Sequence, residues 1–208
     1  MIERVFSFAD PSFDVSRETI GRMEAFVDLL LKWNKAVNLV SDTTTVDIWA
    51  RHIHDSAQIF AFGRNARSWA DLGTGGGCPG IVVAILASQF SSEMKVTLIE
   101  ADQRKSAFLR QTILSLGLTS NVITDRIESL EPLNADVISA RALAPLYKLC
   151  RLAKRHLSQN GMAIFLKGKS SSLEIVEAQK TWDFSLESYP SVTDPLSSVL
   201  ILKEIRNV

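Results

Sequence analysis

The 208-residue sequence is poor in cysteine and in net charge, and each shortage excludes a class of protein. Its 2 cysteines, Cys78 and Cys150, lie far apart and form no CxxC pair, which excludes a disulfide framework and a cysteine-based zinc site. The 23 lysines and arginines balance 23 acidic residues. This balance does not favour a general polyanion binder, although it is compatible with a local basic surface.

The sequence also lacks long apolar runs and targeting signals. No stretch approaches the roughly 18 apolar residues of a membrane-spanning helix. Residues 1–14 carry acids and lack the apolar segment of a signal peptide, so we expect a cytoplasmic protein that does not associate with membranes. No heptad repeat is present, and we expect a monomer. His52 and His54 are two positions apart, unlike the i, i+4 pair of a zinc helix, so we expect no metal.

Helical periodicity marks residues 1–64, which are predicted to form an N-terminal helical extension. One helix is predicted to begin after Ser16, and a second after the polar stretch at residues 41–45. The buried face of the second helix is predicted to hold Val46, Trp49, Ile53, Ala57 and Phe60.

Strand and helix patterns alternate from residue 65 to residue 208, which indicates a mostly parallel sheet covered by helices on both faces. Strands are predicted at 68–72, 95–100, 121–124, 136–140 and 162–167, and helices at 79–89, 103–116, 143–157 and 172–181. Two last strands, 184–189 and 198–205, have no helix between them and should pair antiparallel at a sheet edge. We predict an α/β, Rossmann-like domain that packs with the extension as one unit.

A glycine-rich segment joins the first predicted strand to the following helix. It contains the alternating glycines Gly73, Gly75 and Gly77. Such glycines allow positive φ and a close approach of the backbone to a ligand, although the same string also occurs in purely structural turns. Asp71 before the glycines and Glu100 at the end of the next strand favour a nucleotide site, because an acid at that second position accepts hydrogen bonds from ribose hydroxyls.

Two ligands fit this pattern, a nicotinamide dinucleotide and S-adenosylmethionine. A dinucleotide needs a second mononucleotide-binding half, whereas here the predicted sheet closes with a hairpin after five strands. The Asp71 carboxylate would repel a pyrophosphate but suits a cationic ligand that carries an amino-acid tail. Asp71, the three glycines and Glu100 are therefore predicted to bind S-adenosylmethionine.

The third and fourth predicted strands end at the same edge of the sheet. Ile127 and Glu128 follow the third strand and could lie beside an adenine ring, although Glu128 could instead form a surface ion pair with Arg126. Arg141 ends the fourth strand, where it could meet the methyl donor, an RNA phosphate or a target base. Its alternative is an ion pair with Asp71 or Glu128.

With these residues identified, the chain resembles the RsmG family, also called glucose-inhibited division protein B, over nearly its whole length. The resemblance is carried by residues 33–35, 38–39, 51–56, 73–80, 108–111, 138–142 and 166–168. The chain departs from the usual family pattern at Cys78, where a larger apolar residue is common, and at Val82, where proline is common.

The resemblance implies a class I S-adenosylmethionine-dependent methyltransferase that modifies N7 of a guanine in 16S ribosomal RNA, in the small-subunit loop near the decoding centre. It implies donor contacts at Gly73, Cys78, Glu100, Ile127, Glu128 and Arg141. Guanine N7 carries a lone pair and no proton, so the enzyme mainly supplies proximity and alignment. A nicotinamide-dependent oxidoreductase and a non-catalytic ribosomal RNA-binding module are the alternatives.

Basic residues in several parts of the chain are candidates for RNA binding, although such groups are commonly just solvated. RNA contacts are predicted at Lys32, Lys35, Arg51, Arg126, Arg151, Arg155 and Lys167. Arg151 and Arg155 share one face of a predicted helix. Arg141 and Lys167 both end strands at the predicted active-site edge, and we predict that they are catalytic.

Overall fold

The structure is a computed structural model that describes residues 14–41 and 47–208. The polar stretch at residues 42–45 and Val46, which was predicted to open the second helix, lie outside the described residues. In the part that is described, no helix is long and apolar enough to cross a membrane.

A seven-stranded sheet forms the centre of the molecule, with the strand order β3-β2-β1-β4-β5-β7-β6. The strands are β1 (Ser68–Leu72), β2 (Lys95–Ile99), β3 (Ser120–Ile123), β4 (Ala135–Arg141), β5 (Leu157–Lys167), β6 (Trp182–Pro190) and β7 (Ser198–Asn207). The first five strands are parallel, and β7 pairs antiparallel with both β5 and β6. The predicted α/β fold with a C-terminal antiparallel hairpin is therefore confirmed.

Helices cover both faces of the sheet. They are α1 (Arg17–Val37), α2 (Asp55–Ala57), α3 (Phe60–Gly63), α4 (Gly80–Phe90), α5 (Gln103–Leu116), α6 (Leu146–His156) and α7 (Ser171–Ala178). Successive strand residues point to opposite faces, so Trp69 packs in the core beneath α1, α4 and α5, while Ala70 packs in the core beneath α6. Because β1 lies between β2 and β4, the strand order reverses there and leaves a crevice at the carboxyl ends of the strands.

Side chains hold the backbone at both ends of helix α1. The Ser16 hydroxyl accepts a hydrogen bond of 3.2 Å from the Thr19 N–H, which caps the first turn. The helix ends before Asn38, which adopts the left-handed conformation with φ 51°. The side-chain oxygen of Asn34 then accepts from the N–H groups of Leu39 (2.6 Å) and Val40 (2.9 Å) and turns the chain toward the sheet.

The prediction of one continuous second helix is wrong. The structure has a π-helix at Trp49–His54, followed by the short helices α2 and α3. In the π-helix the Asp55 N–H donates to the Ala50 carbonyl, five residues back. Apolar spacing of three to four residues does not distinguish this wider turn from an α-helix, and π-turns of this kind are common at functional sites.

Candidate functional site

A cavity of about 1180 Å³ opens at the carboxyl ends of the parallel strands. Its walls come from the glycine loop after β1, the end of β2, the segment after β3, and the ends of β4 and β5. The π-helix and the loop between β6 and β7 complete it on the other side. The cavity therefore lies where ligands bind in open α/β sheets.

The glycine loop lines the cavity through Gly73 and Gly75, which have φ values of 63° and 57°. A Cβ on Gly73 would lie 2.5 Å from Leu143 Cδ1, so this glycine permits close packing. A Cβ on Gly75 would meet nothing nearer than the Gly73 carbonyl oxygen at 3.9 Å. Gly75 therefore presents bare backbone to open space, as a backbone-lined ligand site requires.

Asp71 and Gly77 were predicted to contact the donor, but neither lines the cavity. Asp71 is fully buried beneath the loop, where its carboxylate accepts hydrogen bonds from the Ser139 hydroxyl (2.6 Å) and the Gly80 N–H (2.9 Å). Burial raises the pKa of Asp71 to about 6. A Cβ on Gly77 would lie 2.7 Å from Ile81 Cγ1, so this glycine is required by packing. Both residues support the loop from behind.

Glu100 lines the cavity just after β2, in the predicted place. One carboxylate oxygen accepts from the Gly75 N–H at 2.9 Å, and the other accepts from the Asp102 N–H at 2.9 Å. These contacts fix the carboxylate against the glycine loop. Each oxygen keeps a further lone pair that can accept a hydroxyl hydrogen bond.

Four predicted site residues in the segments that follow β1 and β3 also line the cavity. They are Cys78, Arg126, Ile127 and Glu128. Ile127 is buried, and its carbonyl accepts a hydrogen bond of 3.0 Å from His156 Nε2, which fixes the segment after β3. Burial raises the pKa of the Cys78 thiol, which is therefore a neutral wall residue.

Arg141 lines the cavity, and its guanidinium is bound to the π-helix segment. Nη1 donates to the Arg51 carbonyl (2.7 Å) and to the Asp55 carboxylate (3.3 Å), while Nη2 lies 2.7 Å from His52 Nδ1. The alternative prediction of an ion pair with Asp71 or Glu128 is wrong. The sequence places these acids near the same sheet edge, but the folding of the N-terminal segment over that edge supplies nearer acceptors.

His52 is a cavity residue to which the sequence reasoning gave no site role: it was rejected as a metal ligand and counted only within the family-like segment 51–56. Because a guanidinium can only donate, Nδ1 accepts from Arg141 and the neutral ring carries its proton on Nε2. Burial, followed by the charges of Arg141 and Arg51, lowers the pKa of His52 to about 4. No group among residues 14–41 and 47–208 hydrogen-bonds to Nε2.

Lys167 lines the cavity, but its ammonium group is engaged within the protein. Nζ lies 2.7 Å from Glu174 Oε2 and donates to the Ala144 carbonyl at 3.0 Å, and the lysine side chain is only 9% exposed. Glu174 also accepts from the Leu146 N–H at 2.8 Å. Burial favours the neutral acid, but the hydrogen bonds from Lys167 and Leu146 outweigh it and hold the pKa of Glu174 below its ordinary value. This cluster fixes the loop between β4 and α6.

The remaining basic candidates are exposed, and only Arg51 among them lies on the cavity wall. Lys32 and Lys35 lie at the end of α1, and Arg151 and Arg155 lie on α6. Arg155 donates twice to the Leu130 carbonyl, at 2.6 and 3.2 Å, which anchors its guanidinium.

Several wall residues were missed by the sequence reasoning. They are Leu39, Val40, Ser41, Asp47 and the stretch 193–198. Only contacts between distant parts of the chain bring them here, although the family-like segments 38–39 and 51–56 are adjacent to some of them. Among the described residues, no group of three or more histidine, cysteine or acidic side chains is placed to hold a metal ion.

Comparison with solved structures identifies the fold. A methyltransferase from Geobacter sulfurreducens superposes with a TM-score of 0.61 and 14% identity, over 96% of this chain and 97% of that one. An O-methyltransferase from Bacillus cereus in complex with SAH gives a TM-score of 0.59 and 15% identity, over 95% and 96%. The fold is therefore that of the class I methyltransferases, as predicted.

Comparison with protein families and relatives is more specific. The family described as rRNA small subunit methyltransferase G matches residues 19–198. Ribosomal RNA small subunit methyltransferase G of Cereibacter sphaeroides is 50% identical over 196 residues, covering 94% of this chain and 95% of the relative. The protein of that name from Ruegeria pomeroyi is 44% identical over 197 residues, covering 95% and 97%. The chain thus belongs to the rRNA small subunit methyltransferase G family.

Proposed function

We propose that this protein transfers the methyl group of S-adenosylmethionine to N7 of a guanine in 16S ribosomal RNA of the small subunit. One observation carries the proposal: in a chain of this family, Glu100, the open backbone at Gly75 and Arg141 face one cavity. Family membership favours this activity over a nicotinamide-dependent oxidoreductase and over a non-catalytic RNA-binding module.

The cavity residues fit S-adenosylmethionine. Glu100 is positioned to accept from ribose hydroxyls, while Ile127 offers an apolar surface to the adenine and Glu128 an acceptor for its amino group. Gly73 and Gly75 let the backbone approach, with Cys78 as a neutral neighbour. Asp71 and Gly77 support this loop without touching the donor. When bound, the donor supplies an activated methyl group on a sulfonium and leaves as S-adenosylhomocysteine.

The chemistry at N7 requires alignment and no base, because no proton leaves the attacking atom. Arg141, with its guanidinium held by three acceptors of the π-helix segment, presents a fixed edge to the cavity. A guanine displays O6 and N7 side by side, and Arg141 can donate to O6 while the N7 lone pair stays free to accept the methyl group. We assign to Arg141 the orientation of donor and base, and to Lys167 the positioning of the loop between β4 and α6.

The RNA path in this proposal begins at the cavity. Arg51 and Arg126 are exposed on its wall and would contact RNA phosphates first. The exposed groups beyond it would add phosphate contacts: Lys32, Lys35, Arg151 and Arg155. We further propose that the protein acts as a monomer in the cytoplasm, where small subunits are assembled.

The test is to incubate the purified protein with unmethylated small subunits and S-adenosylmethionine, and then to map modified guanines by mass. One 7-methylguanine in 16S ribosomal RNA is expected. Titration with S-adenosylmethionine and with NAD separates a methyltransferase from an oxidoreductase. Donor binding without any transfer would contradict the proposal and favour a non-catalytic module.

A further inference from the structure

We propose that Asp55 is a positioning residue for methyl transfer. It joins the Arg141 guanidinium to the hairpin loop, residues 191–197, and so holds two walls of the cavity in one arrangement. The proposal rests on the proposed function and deepens it by assigning to Asp55, which also lines the cavity, a role exerted through the groups that it holds.

The Asp55 carboxylate accepts hydrogen bonds from three separate parts of the chain. Its Oδ2 accepts from Arg141 at 3.3 Å, at the end of β4. Its Oδ1 accepts from Gln58 at 2.8 Å, from Ser191 at 3.1 Å and from Thr193 at 3.2 Å. The side chain is 15% exposed, so this ion pair and its hydrogen bonds are largely shielded from water.

The hairpin loop is a cavity wall because residues 193–197 line the cavity. Its first three residues, 191–193, are hydrogen-bonded to Asp55 and Gln58. Gln58 donates to the Ser191 hydroxyl at 3.1 Å and accepts from the Val192 N–H at 3.1 Å. Ser191 is 7% exposed, so this end of the loop is buried against α2. The loop position is therefore set by the same carboxylate that binds Arg141.

The cavity wall at the end of β4 depends on Arg141, whose guanidinium has a carboxylate, a backbone carbonyl and the His52 imidazole as acceptors. Asp55 supplies the one formal negative charge among these three. Loss of that charge would leave the arginine with two neutral acceptors and weaken its fixed orientation, because hydrogen bonds between charged partners are the stronger class.

Asp55 is a poor candidate for a general base. Three of the four donors already named converge on Oδ1 and Arg141 holds Oδ2, so both oxygens of the carboxylate are engaged within the protein. Methylation of N7 releases no proton from the attacking atom. The contacts therefore support a positioning role, in which Asp55 acts through Arg141 on the reacting groups and through the two hydroxyls on the hairpin-loop wall of the cavity, at which the proposed RNA path begins.

The experiment separates the contact of Asp55 with Arg141 from its contacts with the hairpin loop. Asp55→Asn keeps an oxygen that can accept from the hydroxyls but turns an amide group toward Arg141. Thr193→Val combined with Ser191→Ala removes the hydroxyl donors and leaves the ion pair. Asp183→Asn is the matched control, because Asp183 also pairs with an arginine of the hairpin, Arg206 at 2.6 Å, but on the exposed face.

Single-turnover methyl transfer to unmethylated small subunits is measured over a range of subunit concentrations. Asp55→Asn should lower the rate at saturation by about tenfold, the size expected for one charge-assisted hydrogen bond. The hydroxyl double variant should instead raise the half-saturating subunit concentration, with the saturated rate nearly unchanged. Affinity for S-adenosylmethionine should persist in both, and Asp55→Glu should partly restore the rate.

A parallel loss of rate, subunit affinity, donor affinity and thermal stability in both variants would show a merely structural role and overturn the proposal. Equal transfer rates for the unchanged protein and a folded Asp55→Asn would also overturn it, while leaving the proposed function intact. If Asp55→Asn does not fold, the hydroxyl variant decides, and an unchanged half-saturating concentration contradicts the proposal. Absence of transfer by the unchanged protein would overturn the proposed function itself, and the role of Asp55 with it.

Discussion

His52 Nδ1 lies 2.7 Å from Arg141 Nη2, and the arginine thereby determines which nitrogen of the imidazole carries the proton. The contact requires a neutral histidine, because a protonated ring would direct a second donor at the guanidinium. It agrees with the lowering of the His52 pKa to about 4, caused by burial and then by Arg141 and Arg51. His52 is therefore neutral at pH 6 and above.

The pH dependence of stability follows from this contact. Since the folded pKa lies below the ordinary value of 6.5, the unfolded chain binds the proton more readily, and stability falls as pH drops from about 6.5 to about 4. His52 alone should account for roughly 3 kcal/mol of the free energy of unfolding lost over that window. Urea unfolding of His52→Asn, which keeps an acceptor for Arg141, should show a smaller loss.

The rate of transfer should respond to pH differently from stability. With His52 neutral, Asp71 ionised above its pKa of about 6 and no proton to remove from N7, the single-turnover rate should stay nearly flat from about pH 7 to pH 8. The measurement uses saturating donor and small subunits at each pH. A steep rise of rate with pH, abolished by replacing one histidine or aspartate, would identify a base and contradict N7 as the target atom.

Gly75 should be more important for donor binding than for folding. Gly75→Ala places a side chain at φ 57°, which costs about 1–2 kcal/mol of stability, and extends it into the proposed donor site. Gly117→Ala is the control, because Gly117 has φ 61° and a Cβ there would have no atom within 4 Å. Both variants should lose similar stability, but only Gly75→Ala should lose affinity for S-adenosylmethionine in calorimetric titration.

Glu100 should contribute to donor affinity through both carboxylate oxygens. Glu100→Gln directs an amide donor at the N–H of either Gly75 or Asp102, so the donor site is disturbed even though the shape is kept. Binding of S-adenosylmethionine should weaken by about 1–3 kcal/mol. Glu177→Gln, which alters an exposed pair with Lys180, should leave binding unchanged. Normal affinity in Glu100→Gln would move the ribose site elsewhere.

Lys167 should affect stability more than RNA binding. Lys167→Met leaves Glu174 without its partner, and given the 21% exposure of the Glu174 side chain this should cost about 1–3 kcal/mol of the free energy of unfolding. The salt dependence of RNA binding should stay the same. Arg51→Ala, which retains the carbonyl that binds Arg141, should instead reduce the salt slope by about one. The reverse pattern would return Lys167 to the RNA-binding surface.

The fold could be predicted well because its signals are local. Parallel strands such as β1 and β2 are short apolar runs, and the amphipathic helix α5 has the predicted bounds Gln103–Leu116. The π-helix was not predictable, because apolar spacing is nearly the same in α- and π-turns. The division at residues 64 and 65 stays a prediction.

The site was only partly predictable from the sequence. Gly73, Gly75 and Glu100 lie on the cavity as expected, because strand ends and glycine loops have fixed places in this fold. The environment of Arg141 was mispredicted, and the place of His52 was missed, because both depend on how a separate segment folds back over the sheet. No local pattern contains that information, and the functional roles of all these residues stay predictions.

The contacts of Asp55 also bear on when during synthesis this protein becomes competent. Ser191 and Thr193 are 136 and 138 residues away from Asp55 along the chain. Because a nascent chain emerges from its N-terminus, the glycine loop and Glu100 can form their contacts long before the hairpin exists. The hairpin-loop wall of the cavity forms only when the hairpin has emerged and docked, so an interrupted chain would lack the surface that completes the cavity.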